Sequence, residues 1–252
     1  MLVSTLNFEM VEPDRTLSDF VESYWMLCNP SDQQQQVVVL PDGRIDIFFS
    51  VSPTNAYHVM IRGLDVEPSA TAIVPKSKIF AVSLTLLAVE YILHTSVASL
   101  LNTGSVLPVD FWGLSPDDLT DFDRFCQKVS KHITSLVNQE VDERKRKLVA
   151  LLYASHGSIP VSELAETVGW SSRQINRYFN YWFGLPLKTY CNILRFRASF
   201  GHIKEGKLFP EQNFTDQAHF IHEVKKYAGV APKELSKNLK DRFIQFSLMP
   251  KK

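Results

Sequence analysis

Long apolar runs, paired cysteines and net charge are all missing from this 252-residue chain. No apolar stretch approaches the ~18–20 residues that a helical membrane span needs. The longest, around Ile79–Leu93, is interrupted by Ser83, Thr85 and Glu90. The opening MLVSTLNFEMVEPDR has neither a basic start nor a long apolar centre, so no secretory signal is expected there. Cys28, Cys126 and Cys191 are scattered and form no CxxC, which argues against a disulfide framework or a zinc site and points to the cytoplasm. Cys126 falls on an apolar helical face and reads as a buried thiol. There is also no Gly-rich phosphate loop, no GxSxG and no His–Cys or Ser–His grouping that can be localised. The sequence therefore offers no catalytic residue, no cofactor site and no metal site, and reads as a non-enzyme.

The composition, 45% hydrophobic and 21% charged, is that of an ordinary globular protein. Its zero net charge conceals two opposed parts. Residues 1–157 carry 12 Lys+Arg against 19 Asp+Glu, and residues 158–252 carry 15 against 8. A polyanion is the natural partner of the basic part.

The first hundred or so residues read as mainly β. VVVLPDGRIDIFF (37–49) places two β-branched and apolar runs around Pro41-Asp42-Gly43, which predicts a hairpin. The Gln33–Gln36 tract is expected to be the loop before it. NAYHVMIRG, ATAIVP and KIFAVSLTLLA follow with similar texture. From about Pro116 the pattern turns helical: Leu119, Phe122, Phe125, Cys126, Val129, Ile133 and Val137 recur at steps of three and four. With the following NQEVDERKRKLVALLYASHG this predicts a helical hairpin. The ERKRK cluster (143–147) reads as a solvated helix face in preference to a phosphate contact. The expected fold class is α+β. Residues 1–139 form a mainly-β sensory or dimerisation domain with a helical hairpin, residues 140–240 an all-α DNA-binding domain, and 241–252 a tail.

The chemistry concentrates in IPVSELAETVGW and SSRQINRYFNYWFGLP. Val161, Leu164, Ala165 and Val168 share one face, Gly169 permits a sharp turn, and Ser171 is an N-cap for a second helix. In that helix Ile175, Phe179 and Trp182 lie on one side, with Ser172, Arg173, Asn176, Arg177 and Asn180 on the other. This is a helix-turn-helix pattern, with Trp170 and Trp182 read as core. An α-helix fills the DNA major groove, where Arg pairs with guanine edges and Asn or Gln with adenine edges. Forty-five residues on, TDQAHFIHEVKKYAGVAPKEL repeats the pattern: Ser171 pairs with Asp216, Ile175 with Phe220, Phe179 with Val224, Gly184 with Gly229 and Lys188 with Lys233. The intervening KTYCNILRFRASFGHIK reads as one continuous helix, long enough to hold two reading helices about one DNA turn, roughly 34 Å, apart.

Residues from about 140 to 238 resemble the tandem helix-turn-helix domain of AraC-type transcription regulators. The resemblance rests on SELAETVGWSSRQINRYFNYWFGLPLKTY, LRFRAS and FTDQAHFIHEVKKYAGVAPKEL. VESYW and VLPDGRIDIFF also resemble an uncharacterised N-terminal domain of one subgroup. The resemblance implies base contacts from Arg173, Asn176 and Arg177 in the first unit, and from Gln217, Ala218, Ile221 and His222 in the second. Ser172, Asn180, Lys188, Lys225 and Lys233 are the expected phosphate contacts. It implies double-stranded DNA as partner, and it leaves room for a small-molecule effector or a homodimer contact in the N-terminal domain; the 117–137 helix is the candidate dimer surface. The chain departs from the family in EGKLFPEQNF, shorter than the usual first helix of the second unit, with Pro210 inside it and Asn213 where glycine is expected. A short or irregular helix follows from that. His219 and His222 have no third ligand nearby, and His219 reads as packed or phosphate-facing. Two alternatives stay open: a non-specific architectural DNA binder, and an enzyme whose pocket is assembled in the N-terminal domain.

Overall fold

The structure, a computed structural model, describes residues 6–137, 139–209 and 214–248. The N-terminal region contains β1 (Asn7–Val11), β2 (Val21–Cys28), β3 (Gln35–Val39), β4 (Ile45–Val51), β5 (His58–Arg62), β6 (Ser69–Ile73), β7 (Lys78–Leu84), α1 (Leu86–Tyr91), β8 (Gly104–Leu107) and α2 (Phe122–Leu136). The rest is helical: α3 (Glu143–Ala154), α4 (Val161–Val168), α5 (Ser172–Phe183), α6 (Leu187–Ala198), α7 (Phe200–Lys204), α8 (Gln217–Ala228), α9 (Pro232–Lys237) and α10 (Ile244–Leu248). The α+β class read from the sequence is the observed one.

Six strands form an antiparallel sheet in the order β1-β2-β7-β4-β5-β8, and β3 pairs with β6 in a separate ribbon. Alternation along β4 explains the main face: Ile45, Ile47 and Phe49 are completely buried, while Asp46 and Phe48 between them are half-buried on the other side. α2 covers the buried face, where Phe125 meets Phe49 and Phe80 edge-on at 5.4 and 5.3 Å. Each aromatic side chain buried there contributes roughly 1.5–3 kcal/mol. Burial of the Cys126 thiol in this layer, with Asp123 nearby, pushes its pKa up to about 12.

Four sequence expectations change. The LPDG segment turns the chain but forms no hairpin, because the strands on its two sides, β3 and β4, pair with β6 and with β5 and β7 respectively. Pro-Asp-Gly fixes a local turn and leaves pairing to long-range burial, so the segment is a corner between two sheets. Gln35 and Gln36, expected in a loop, already belong to β3. The expected helical hairpin is also absent: α2 lies on the sheet, whereas α3 packs on α1 and α4. Ser115 forms a reciprocal cap with Asp118 that closes a 3-10 turn over Pro116–Thr120, and Asp121, accepting the Arg124 N–H at 3.0 Å, caps α2 itself. Lastly, the tail as far as Leu248 is an integral part of the fold. Phe243 and Phe246 are each 2% exposed, Val38 forms a parallel bridge with Phe243, and the Val38 N–H donates to the Arg242 carbonyl at 2.7 Å.

Hydrophobic clusters do not follow the 139/140 division. One continuous core runs from Leu17 and the sheet through Leu86, Leu87 and Val97 to Ile175, Phe179, Phe183 and Leu194. A second core, built from Phe196, Phe200, Phe220, Val224, Tyr227, Leu235, Phe243 and Phe246, takes one buried residue from the N-terminal region, Leu40.

Candidate nucleic-acid interface

The first helix-turn-helix unit is α4, a turn at Gly169 and α5. The Ser171 hydroxyl accepts the Gln174 N–H at 3.2 Å, and Gln174 Oε1 accepts the Ser171 N–H at 2.8 Å, a reciprocal cap. Gly184, with φ +75°, ends α5; a Cβ there would lie 2.6 Å from the Ala98 carbonyl oxygen, so only glycine fits. Ile175, Phe179 and Phe183 are buried beneath the helix. Ser172, Arg173, Arg177 and Asn180 are exposed on its outer side.

The second unit repeats the reading helix, its caps and the helix that follows. α8 begins and ends 45 residues after α5, its cap Asp216 accepts the His219 N–H at 2.7 Å, and it ends at Gly229 with φ +70°. The following helices, α6 and α9, also begin 45 residues apart. Gln217, Ala218, His222 and Lys225 are exposed, Ile221 is half-buried against the second core, and Lys188 and Lys233 are exposed at the starts of α6 and α9. The helix between the units is interrupted at Ser199, where α6 gives way to α7. Among the described residues, 205–209 contain no helix; Pro210 and Asn213 lie outside the described residues.

The geometry separates the candidate side chains by their freedom. Arg173 and Arg177 carry no ion pair or side-chain hydrogen bond among the described residues. Asn176 is half-buried: its Nδ2 donates to the Ser172 carbonyl at 3.0 Å, and its Oδ1 accepts the Leu187 N–H at 3.2 Å at the start of α6. Asn180 Nδ2 donates to the Asn176 carbonyl at 2.8 Å. His219 is half-buried, with Nδ1 accepting the Thr215 N–H at 3.2 Å and its ring edge-on to Phe214. Beside α5 lies a cleft of about 430 Å³ walled by Trp170, Tyr178, Tyr181 and Trp182, with Arg144 and Arg177 on its rim. Both tryptophans are half-buried.

The ERKRK run is only in part a solvated face: Glu143, Arg144 and Lys147 are exposed, and Lys145 and Arg146 are half-buried. Lys145 pairs with Glu90 at 2.5 Å and Arg146 with Asp19 at 2.9 Å, so part of the basic run is neutralised by the N-terminal region. Glu90 also accepts the Tyr178 hydroxyl at 3.2 Å. Burial, followed by the charge of Glu90, keeps the Tyr178 pKa far above that of a free tyrosine. The Ser96 hydroxyl donates to the Tyr181 carbonyl at 2.6 Å and the Val97 N–H to the Trp182 carbonyl at 3.0 Å, closing the C-terminus of α5 from outside. No sequence motif marks these contacts, since each joins residues more than fifty positions apart.

Sequence reading also missed a polar row on the sheet face away from α2. Ser23, Ser83, Asp46 and Arg62 stand side by side across β2, β7, β4 and β5. The Ser83 hydroxyl donates to Asp46 at 2.5 Å, and the Trp25 indole N–H donates to Ser83 at 3.1 Å. Burial, then the charge of Asp42, raises the Asp46 pKa to about 6. The outward side of α2 presents Asp123, Arg124, Gln127, Lys131 and Thr134, its apolar side being taken by the sheet.

Fold and site together define a two-part protein, an antiparallel β region followed by two helix-turn-helix units. Residues 9–105 match the model of a domain of unknown function, DUF6597. No curated protein matches the chain. Among solved structures it is similar to an AraC-type DNA-binding transcriptional regulator from Chromobacterium violaceum, at 20% identity over 38% of this chain and 91% of that one, TM-score 0.33. It is also similar to ToxT from Vibrio cholerae with unsaturated fatty acid bound, at 11% identity over 95% of this chain and 98% of that one, TM-score 0.46. A further ToxT structure, bound to a naphthalenyl butenoic acid, matches at 14% identity over 92% and 97% of the two chains, TM-score 0.42. Among the described residues no helix is long and apolar enough to cross a membrane.

Proposed function

We propose that this protein is a sequence-specific, duplex-DNA-binding transcription regulator, with α5 and α8 as its reading helices. The observation that carries this reading is the repeat: cap, helix, left-handed glycine and following helix recur at one 45-residue offset. The first copy exposes two unpaired arginines on its outer face. Guanidinium forks aimed at guanine O6 and N7 are the commonest specific contact in the major groove.

The two units differ in what they can read. Arg173 and Arg177 are free to contact bases, while Asn176 must first yield its bond to Leu187. In the second unit Gln217 and His222 are the available polar readers. Lys188, Lys225 and Lys233, with Ser172 and Asn180, suit phosphate contacts. We therefore assign most base discrimination to α5 and mostly phosphate anchoring to α8. The N-terminal region controls occupancy, through an effector or a dimer contact. An architectural binder would bind with comparable affinity to any duplex and depend chiefly on phosphate neutralisation.

The test is footprinting of duplexes recovered from a random pool, with wild type, Arg173→Ala and His222→Ala. Arg173→Ala should flatten preference in one half-site, and His222→Ala should weaken binding with preference retained. Equal loss of preference in both contradicts the division of labour.

A further inference from the structure

We infer that the Leu40–Arg44 corner positions the second reading unit relative to the first, with Glu22 as the positioning residue that anchors it. This rests on the DNA-reading function proposed above. The first unit is fixed to the N-terminal body: it shares that body's core, its α5 carbonyls receive Ser96 and Val97, and Gly184 lies against Ala98. The second unit has a core of its own, and Leu40, 1% exposed, is the N-terminal residue buried in it. Val38 and Val66 pack on that core, Ile244 is buried among Leu27, Val37 and Ile73, and Pro68 lies beside Gly229, while the side-chain polar contacts to the unit and to the helix leading into it converge on one short segment.

At one end of that segment the side-chain amide of Gln245 accepts the Leu40 N–H at 3.1 Å and donates to the Leu40 carbonyl at 2.8 Å. Together with the Val38–Phe243 bridge just before each, this clips α10 onto the corner. At the other end the corner lies on α6, the helix joining the two units. The Tyr190 hydroxyl donates to the Gly43 carbonyl at 3.0 Å, and a Cβ on Gly43 would meet both Tyr190 and Leu194 at 3.3 Å. Arg197 of α6 donates to both Glu22 carboxylate oxygens and, at 3.4 Å, to the Asp42 carbonyl. Arg44 holds the same carboxylate at 2.9 and 3.1 Å. Glu22 thus binds a cation from the corner and a cation from the connecting helix at once. A second module tethered in the right place binds with a high effective concentration, and one that wanders does not.

The experiment uses full-length protein and a duplex recovered by the wild type, comparing wild type with Glu22→Gln, Arg197→Gln and the double variant. Each single variant should keep protection of the half-site bound by the first unit, lose protection of the other, and weaken overall binding by roughly tenfold. Each should also tolerate an inserted base pair between half-sites better than wild type does, and the double variant should be no worse than either single one. Gln245→Ala, at the far end of the corner, should reproduce the pattern. Equal loss in both half-sites, or unchanged spacing preference in folded variants, overturns the inference. If the wild type recovers no motif, the functional reading fails, and hydrogen exchange still decides the positioning role. Faster exchange confined to 216–248 in Glu22→Gln supports it, and exchange unchanged or raised throughout the chain refutes it.

Discussion

Arg177 and Lys188 lie eleven positions apart and are assigned different work. Removing Arg177, proposed to read a base edge, should cost about 1–3 kcal/mol against the preferred sequence and relax preference at one position. Lys188→Ala should weaken all duplexes evenly and lower the salt slope by about 1. Titration of both variants against preferred and scrambled duplexes across salt separates the two roles. Two carboxylates give opposite pH signatures. Burial raises the Glu22 pKa, but Arg197 and Arg44 outweigh it and hold it at about 2, below the ordinary 4.5. Its contribution, roughly 3 kcal/mol, is therefore complete above about pH 4.5 and is lost as pH falls through about 2. Asp46 is raised to about 6, so its contribution is complete below its ordinary 3.8 and is lost as pH rises through about 6. Denaturation of Asp46→Asn at pH 7.5 and pH 4 should show stabilisation relative to wild type at the higher pH only.

The helix-turn-helix elements were legible because their signals are local. Ser171, Asp216, Gly184 and Gly229 sit where cap and left-handed geometry require them, and a cap is decided within one turn of chain. Ser171→Ala and Asp216→Ala should each cost about 1 kcal/mol in chemical denaturation. Gly184→Ala should cost more, since it combines positive φ with a clash at Ala98. The β region was less legible for a physical reason. Pro13-Asp14 between β1 and β2, like Pro41-Asp42-Gly43, states that the chain turns without stating which strands pair. Likewise, sequence placed Asn176 on the outer face of α5 but could not show the Leu187 N–H that occupies it.

For the molecule as a whole, the opposed charges of its two parts gain a second meaning. Glu22 of the acidic part meets Arg197 of the basic part, so one pair of those opposed charges joins the two parts, while Asp19 and Glu90 pair with Arg146 and Lys145 inside the acidic part itself. The tail belongs to this junction. Truncation after Asp241 removes Phe243, Ile244 and Phe246 from buried positions, and should destabilise the second unit by several kcal/mol, seen as loss of hydrogen-exchange protection in α8 with the sheet still protected. The central claim, that this arrangement reads DNA sequence, is tested most directly by selecting bound duplexes from a random pool with the full-length protein at ~150 mM salt. The account predicts a recovered motif with two half-sites about one helical turn apart, roughly 10 base pairs, and loss of preference in one half with Arg177→Ala. Recovery of duplexes without a common motif, or of none, would contradict it.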